Sequence, residues 1–86
     1  SIILKKLIKY LLEQYYQRNT NSIYFSDDII NNLEYDRNDI SRIFLTLETD
    51  GIISIKRYKK VDYLKPPFEI ILSSKSIEIF ENLIKE

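Results

Sequence analysis

Asp39-Ile40-Ser41-Arg42-Ile43-Phe44-Leu45-Thr46-Leu47-Glu48-Thr49-Asp50-Gly51-Ile52-Ile53 is the stretch from which the rest of the chain can be read. Ile40, Phe44 and Leu47 fall at i, i+4 and i+7, the spacing of one apolar helical stripe. Asp36 upstream is the expected N-cap, so the helix is expected from about Arg37 to Thr49. Asp50-Gly51 ends it, because glycine takes the left-handed C-terminal position at little cost. Ile53 and Ile55 then alternate with Ser54 and Lys56, which predicts a half-buried strand over 52–58.

Moving outward toward the C-terminus, residues 59–67 form a basic loop closed by Pro66-Pro67, a pair that cannot lie inside a sheet. Phe68, Ile70 and Leu72 alternate again and predict the returning strand. Ser73 or Ser74 is expected to cap a last helix carrying Ile77, Ile79, Phe80, Leu83 and Ile84. In the other direction, Ser26 reads as an N-cap, with Asp27 and Asp28 in the first turn of a short helix ending at Leu33. Before it come a β-prone run, Ile23-Tyr24-Phe25, and a polar turn over 18–22. Residues 2–17 open the chain as a helix, with Leu4, Leu7, Ile8, Leu11, Leu12 and Tyr15 on one face. Ile3, Tyr10 and Tyr16 lie outside that stripe. The expected fold class is α+β, one domain over 1–86, in the order helix, short strand, helix, helix, hairpin, helix.

Composition narrows the function. An 86-residue chain has room for one small core and buries only about 60% of its unfolded surface. Hydrophobic residues at 44% and charged residues at 30% describe a globular sequence rather than a disordered tail. The absence of Cys and His excludes disulfides, thiol chemistry, zinc fingers and histidine bases. Asp27 and Asp28 are the one close carboxylate pair, and neighbours on a helix point apart, so they make a poor acid–base dyad. No phosphate loop, nucleophile elbow or metal cluster is present, and neither an enzyme nor a cofactor is expected. No apolar stretch approaches the roughly 20 residues that span a bilayer. Lys5, Lys6 and Lys9 interrupt the apolar start, which reads against a secretory signal and for a cytoplasmic protein. Ile, Lys, Asn, Tyr and Phe fill 42 of 86 positions, the mark of an AT-rich genome. The lack of Met suggests either a removed initiator or an excised domain.

Two segments resemble a known family. Asp39 to Ile53 resembles the phrase T-V-S-R-x-L-x-x-L-E-x-x-G-L-I of winged helix-turn-helix transcriptional regulators of the MarR-like or PadR-like kind. Phe68-Glu69-Ile70-Ile71-Leu72-Ser73-Ser74-Lys75-Ser76 looks like the Y-x-x-L-T-x-K-G that leaves their second wing strand. With Ser26 to Leu33, the resemblance covers residues 24–86. It implies a three-helix core, a two-to-three-stranded β-wing, a C-terminal helix and a third helix reading the major groove of double-stranded DNA, with Ser41 and Arg42 as contacts. It also implies dimerisation through the terminal helices. The chain departs from the pattern at Glu34, where members often carry glycine in the turn before the third helix, and at Ser76 after Lys75. A left-handed Glu34 would carry some strain.

The residues support that expectation on their own terms. With Ile40, Phe44 and Leu47 turned inward, Asn38, Ser41, Arg42, Leu45 and Thr46 face outward, and Arg37 lies at the helix start. Arginine can take guanine bidentately and asparagine can take adenine, although the same periodicity also describes a solvated face. Lys56, Arg57, Lys59, Lys60 and Lys65 put five bases within ten residues, with Tyr58 and Tyr63 interleaved. That pattern suits a hairpin on phosphates or in the minor groove, and equally an edge kept soluble by lysines.

The net charge of zero is unevenly spread. Residues 1–25 carry +3, residues 26–51 carry −5, residues 52–67 carry +4 and residues 68–86 carry −2. The acidic block counts against tight DNA binding by one copy, and two wings would do better. Ile3, Leu7, Tyr10, Ile79 and Leu83 are the expected interface of a homodimer setting two recognition helices about one DNA turn apart. The expected function is a DNA-binding repressor without metal or membrane partner. The rival is a docking module that keeps the fold without binding DNA.

Overall fold

The computed structural model describes residues 2–85. Helix α1 (Ile2–Arg18) leads into strand β1 (Ser22–Phe25), then helices α2 (Asp27–Leu33) and α3 (Arg37–Thr49). Strands β2 (Ile53–Arg57) and β3 (Phe68–Leu72) follow, and α4 (Ser74–Ile84) closes the chain. The described residues form an α+β domain of four helices and a three-stranded antiparallel sheet of order β1-β3-β2.

Local chemistry places the boundaries. The Ser26 hydroxyl accepts from the Ile29 N–H at 3.2 Å and starts α2. The Asp36 carboxylate accepts from the Asn38 N–H at 2.7 Å and starts α3. Between them Glu34 takes φ +60° and ψ +26°, and its N–H donates to the Asn31 carbonyl at 3.1 Å. The tight turn usually given to glycine is therefore made by glutamate, and a few residues separate the two helices. Helix α3 ends in a Schellman motif: the Gly51 N–H reaches the Glu48 carbonyl at 3.0 Å and the Ile52 N–H reaches Leu47 at 2.9 Å. Gly51 has φ +74°, and an added Cβ would meet nothing within 4 Å, so the glycine serves conformation rather than space.

Ser73, not Ser74, caps α4, and Ser76 explains its own departure from glycine. Ser73 and Ser76 form a reciprocal capping box, with each hydroxyl accepting from the other's N–H at 3.1 and 2.9 Å. The fully buried Ser76 hydroxyl also donates to the Ile52 carbonyl, tying α4 to the base of the β2–β3 hairpin.

β1 is too short to hold by itself and gains its partner from far along the chain. Ile23 pairs with Ile70 and Phe25 with Phe68, while β2 pairs across the other edge of β3, Ile53 with Leu72 and Arg57 with Phe68. Phe25, Phe44, Phe68 and Phe80 are all fully buried, and Phe25 stacks on Phe68 at 5.3 Å and meets the edge of Phe44 at 5.1 Å. One core thus joins the sheet, α1, α3 and α4.

The terminal helices differ from expectation. α4 packs along α1, and Leu7, expected at a dimer interface, is 1% exposed within the core. It belongs to the Leu4–Leu7–Ile8–Leu11 stripe, which α4 and the sheet absorb. Ile3, Tyr10, Ile79 and Leu83 are half-buried against the same core, Tyr10 lying 5.6 Å from Phe25. Burial raises the Tyr10 hydroxyl's pKa. The apolar side chains left to solvent on α1 are Ile2 at 74% and Tyr16 at 60%, and the Tyr16 hydroxyl donates to Glu81 of α4. Among the described residues no helix is long and apolar enough to cross a membrane.

Candidate nucleic-acid interface

The Asp36 cap and the inward Ile40, Phe44 and Leu47 fix the rotation of α3 about its axis. Asn38, Arg42 and Thr46 are exposed, as expected, whereas Ser41 is half-buried and Leu45 is half-buried against the core. Leu45 is therefore a supporting residue as much as a surface one. Across from this helix, the β2–β3 hairpin carries residues 58–67, and their end is anchored: Leu64 is 6% exposed and Pro66 is buried. The basic loop is thus pinned to the core near its return, a feature that the period-2 pattern of the flanking strands does not reveal.

The bases on this surface fall into two groups. Arg37 Nη1 lies 2.7 Å from Asp27 Oδ1, and its Nη2 donates to Asn31 Oδ1 at 3.1 Å. Arg42 donates to Asp39 Oδ1 at 3.0 Å, one turn back on the same helix. Arg57 forms a bidentate pair with Glu48, at 2.7 and 2.8 Å. Lys56 Nζ lies over the Tyr58 ring at 5.4 Å and 3.9 Å from Glu69. These bases already have acidic partners from their own surface. Lys59, Lys60 and Lys65 are exposed and have no ionic partner among the described residues.

Two carboxylates have shifted titrations. Hydrogen bonds from Arg57 hold Glu48 below the ordinary carboxylate range, and the same bonds raise Arg57 further. Glu69 is also lowered, first by the Ser22 hydroxyl, which donates at 2.5 Å, and then by the Tyr58 hydroxyl. Tyr58 is raised in turn by that bond. Glu69 thus ties β1, β3 and the start of the loop together.

Periodicity and motif spacing do not disclose the Glu48–Arg57 clamp. These residues are nine apart, and the chain reversal at Gly51 brings them together. A glutamate just before a glycine stop, followed by an arginine ending the next strand, is the signal that the sequence carries. The aromatic residues expected on the loop are exposed: Tyr58 at 51% and Tyr63 at 58%, joined by Val61 at 43%. No group of His, Cys, Asp and Glu suited to a metal ion occurs among the described residues. No family model matches the chain, and neither does any curated protein or solved structure.

Proposed function

We propose that this chain is a winged-helix DNA-binding domain of a homodimeric transcriptional regulator, with α3 in the major groove and the 58–67 loop on the phosphate backbone or in the minor groove. The observation that carries the reading is the placement of two complementary surfaces side by side. α3 is fixed by its cap and apolar stripe with Asn38 and Arg42 outward, and beside it a pinned loop presents Lys59, Lys60 and Lys65 without ionic partners among the described residues. A helix of this diameter fits the major groove, and uncommitted lysines release counterions when they meet phosphates. The order β1-β3-β2 with α2 and α3 joined by a short turn supports the winged-helix assignment. A second copy would meet this one through α1 and α4, around the exposed Ile2 and Tyr16 and the half-buried Ile3, Tyr10, Ile79 and Leu83.

The docking-module reading has one observation in its favour: each arginine of the α3 side, Arg37, Arg42 and Arg57, is neutralised by a carboxylate of the same surface. Fluorescence anisotropy of a labelled duplex pool at about 50 and 200 mM salt separates the two. DNA binding requires an affinity that falls steeply with salt. An absence of binding at the lower salt, with protein at tens of micromolar, favours docking.

A further inference from the structure

Between the N-terminal half of α3 and the end of the 58–67 loop lies a cleft of about 290 Å³. Its floor is apolar, built from Ile40 and from Leu64, the side chain that pins the loop. Its rim is polar and aromatic. Asn38 stands on the helix side, and Tyr63 and Lys65, flanking Leu64 in sequence, stand on the loop side. Arg37 also borders the cleft, but Asp27 holds its guanidinium at 2.7 Å. Lys65 is therefore the uncommitted cation.

This shape does not suit a fully paired duplex, which offers a cleft only stacked base edges and a phosphate ridge. It suits a base that has left the stack. Such a base has a flat π-face for the exposed Tyr63 ring, edge donors and acceptors for the Asn38 amide, and an adjoining phosphate for Lys65. The apolar floor receives the face that leaves water.

We propose that the cleft binds an unstacked nucleobase of a nucleic-acid strand, with Tyr63 stacking on it, Asn38 reading its edge and Lys65 holding the adjoining phosphate. The proposal rests on the nucleic-acid reading above and deepens it by giving the surface a preference for distorted or unpaired strands.

The test uses anisotropy with three labelled DNAs of one sequence: a paired duplex, the same duplex with one extrahelical adenosine, and the single strand. The duplex with the extra base is expected to bind about tenfold tighter than the paired one, near the lower end of what one base–aromatic stack supplies. Tyr63→Leu is expected to bring that ratio close to one, and Tyr63→Phe to retain it. Equal affinity for the paired and extra-base duplexes, or a preference that survives Tyr63→Leu, overturns the cleft assignment and leaves the duplex reading standing. Binding of the extra-base or single-stranded DNA without the paired duplex does the reverse. No binding of any of the three overturns both.

Discussion

Helix α3 and the 58–67 loop lie side by side, yet they hold their charge in opposite ways. On and around α3 the bases are arginines, each fixed by a carboxylate within 3.0 Å. In the loop the bases are lysines, exposed and without ionic partners among the described residues. A phosphate meets a free lysine at the cost of side-chain entropy and partial desolvation, whereas it must also displace a carboxylate to meet a paired arginine. Under the proposed function the loop is the region for affinity and α3 the region for selection, because a planar guanidinium rewards a partner of matching geometry with a bidentate contact. The difference also reconciles a net charge of zero with the proposed nucleic-acid surface: Asp36 of the acidic block caps α3, Asp27 and Asp39 pair Arg37 and Arg42, and Glu48 pairs Arg57.

The variant that breaks both regions together is Phe44→Ala. Phe44 is fully buried against Phe25 and Phe68, and its removal is expected to cost about 3–5 kcal/mol, a large share of a small domain's stability. Urea denaturation checks this, and a cost below about 1 kcal/mol would contradict the core described above.

The loop alone is removed by Lys59→Ala/Lys60→Ala/Lys65→Ala. Binding to all duplexes should weaken, on the order of tenfold or more, and the salt slope should fall by roughly 2.7, about 0.9 for each phosphate that a lysine no longer neutralises. A slope that stays unchanged would mean the lysines do not touch phosphate.

Arg42→Ala probes selection instead. It should cost about 1–3 kcal/mol of discrimination at one base pair while leaving affinity for unrelated sequences nearly unchanged, as measured by competition with single-base variants of a selected site. Uniform weakening would assign Arg42 to the backbone and erase the contrast between the two regions.

The smallest effect distinguishes a clamp from a contact. From the sequence, Arg57→Ala with Lys59→Ala is expected to weaken binding to every sequence. The bidentate pair with Glu48 separates the two changes: Lys59→Ala removes a phosphate contact, Arg57→Ala weakens binding only modestly by leaving the Glu48 carboxylate unpaired, and Glu48→Gln frees Arg57 for a gain of affinity with a salt slope steeper by up to about 0.9. Stability should change by only about 0–1 kcal/mol, since the side chains of the pair are still about one third exposed, at 34% and 30%.

The pH dependence of that clamp has a definite sign. Glu48 titrates lower in the folded chain than its ordinary 4.5. Its stabilisation is present above that value and is lost as pH falls through the lowered one. Between pH 6 and pH 3 the wild type should lose more urea stability than Glu48→Gln. Glu69, also lowered, is common to both proteins and cancels in the comparison.

Much of this architecture is legible in the sequence because it rests on local rules. Ser26, Asp36 and Gly51 act within a turn of their own position, and the stripe of α3 follows from spacing alone. Glu34 stands out as a non-glycine turn residue, and it does take the left-handed conformation. What is not legible depends on tertiary reversal. The Glu48–Arg57 clamp, the Ser76 bond to Ile52 and the anchoring of the loop by Leu64 each join elements whose relative placement no periodicity encodes. Leu7 shows the same limit from the other side: the apolar surface of α1 looks excessive in the sequence because nothing there says that α4 lies against it.

The most direct measurement is a map of amide chemical shifts in the labelled protein as duplex DNA is added at about 50 mM salt. The proposed function requires the largest changes at Asn38, Ser41 and Arg42 and through residues 56–65, with α4 nearly unmoved. Changes confined to α1 and α4, or no changes at all, would contradict it.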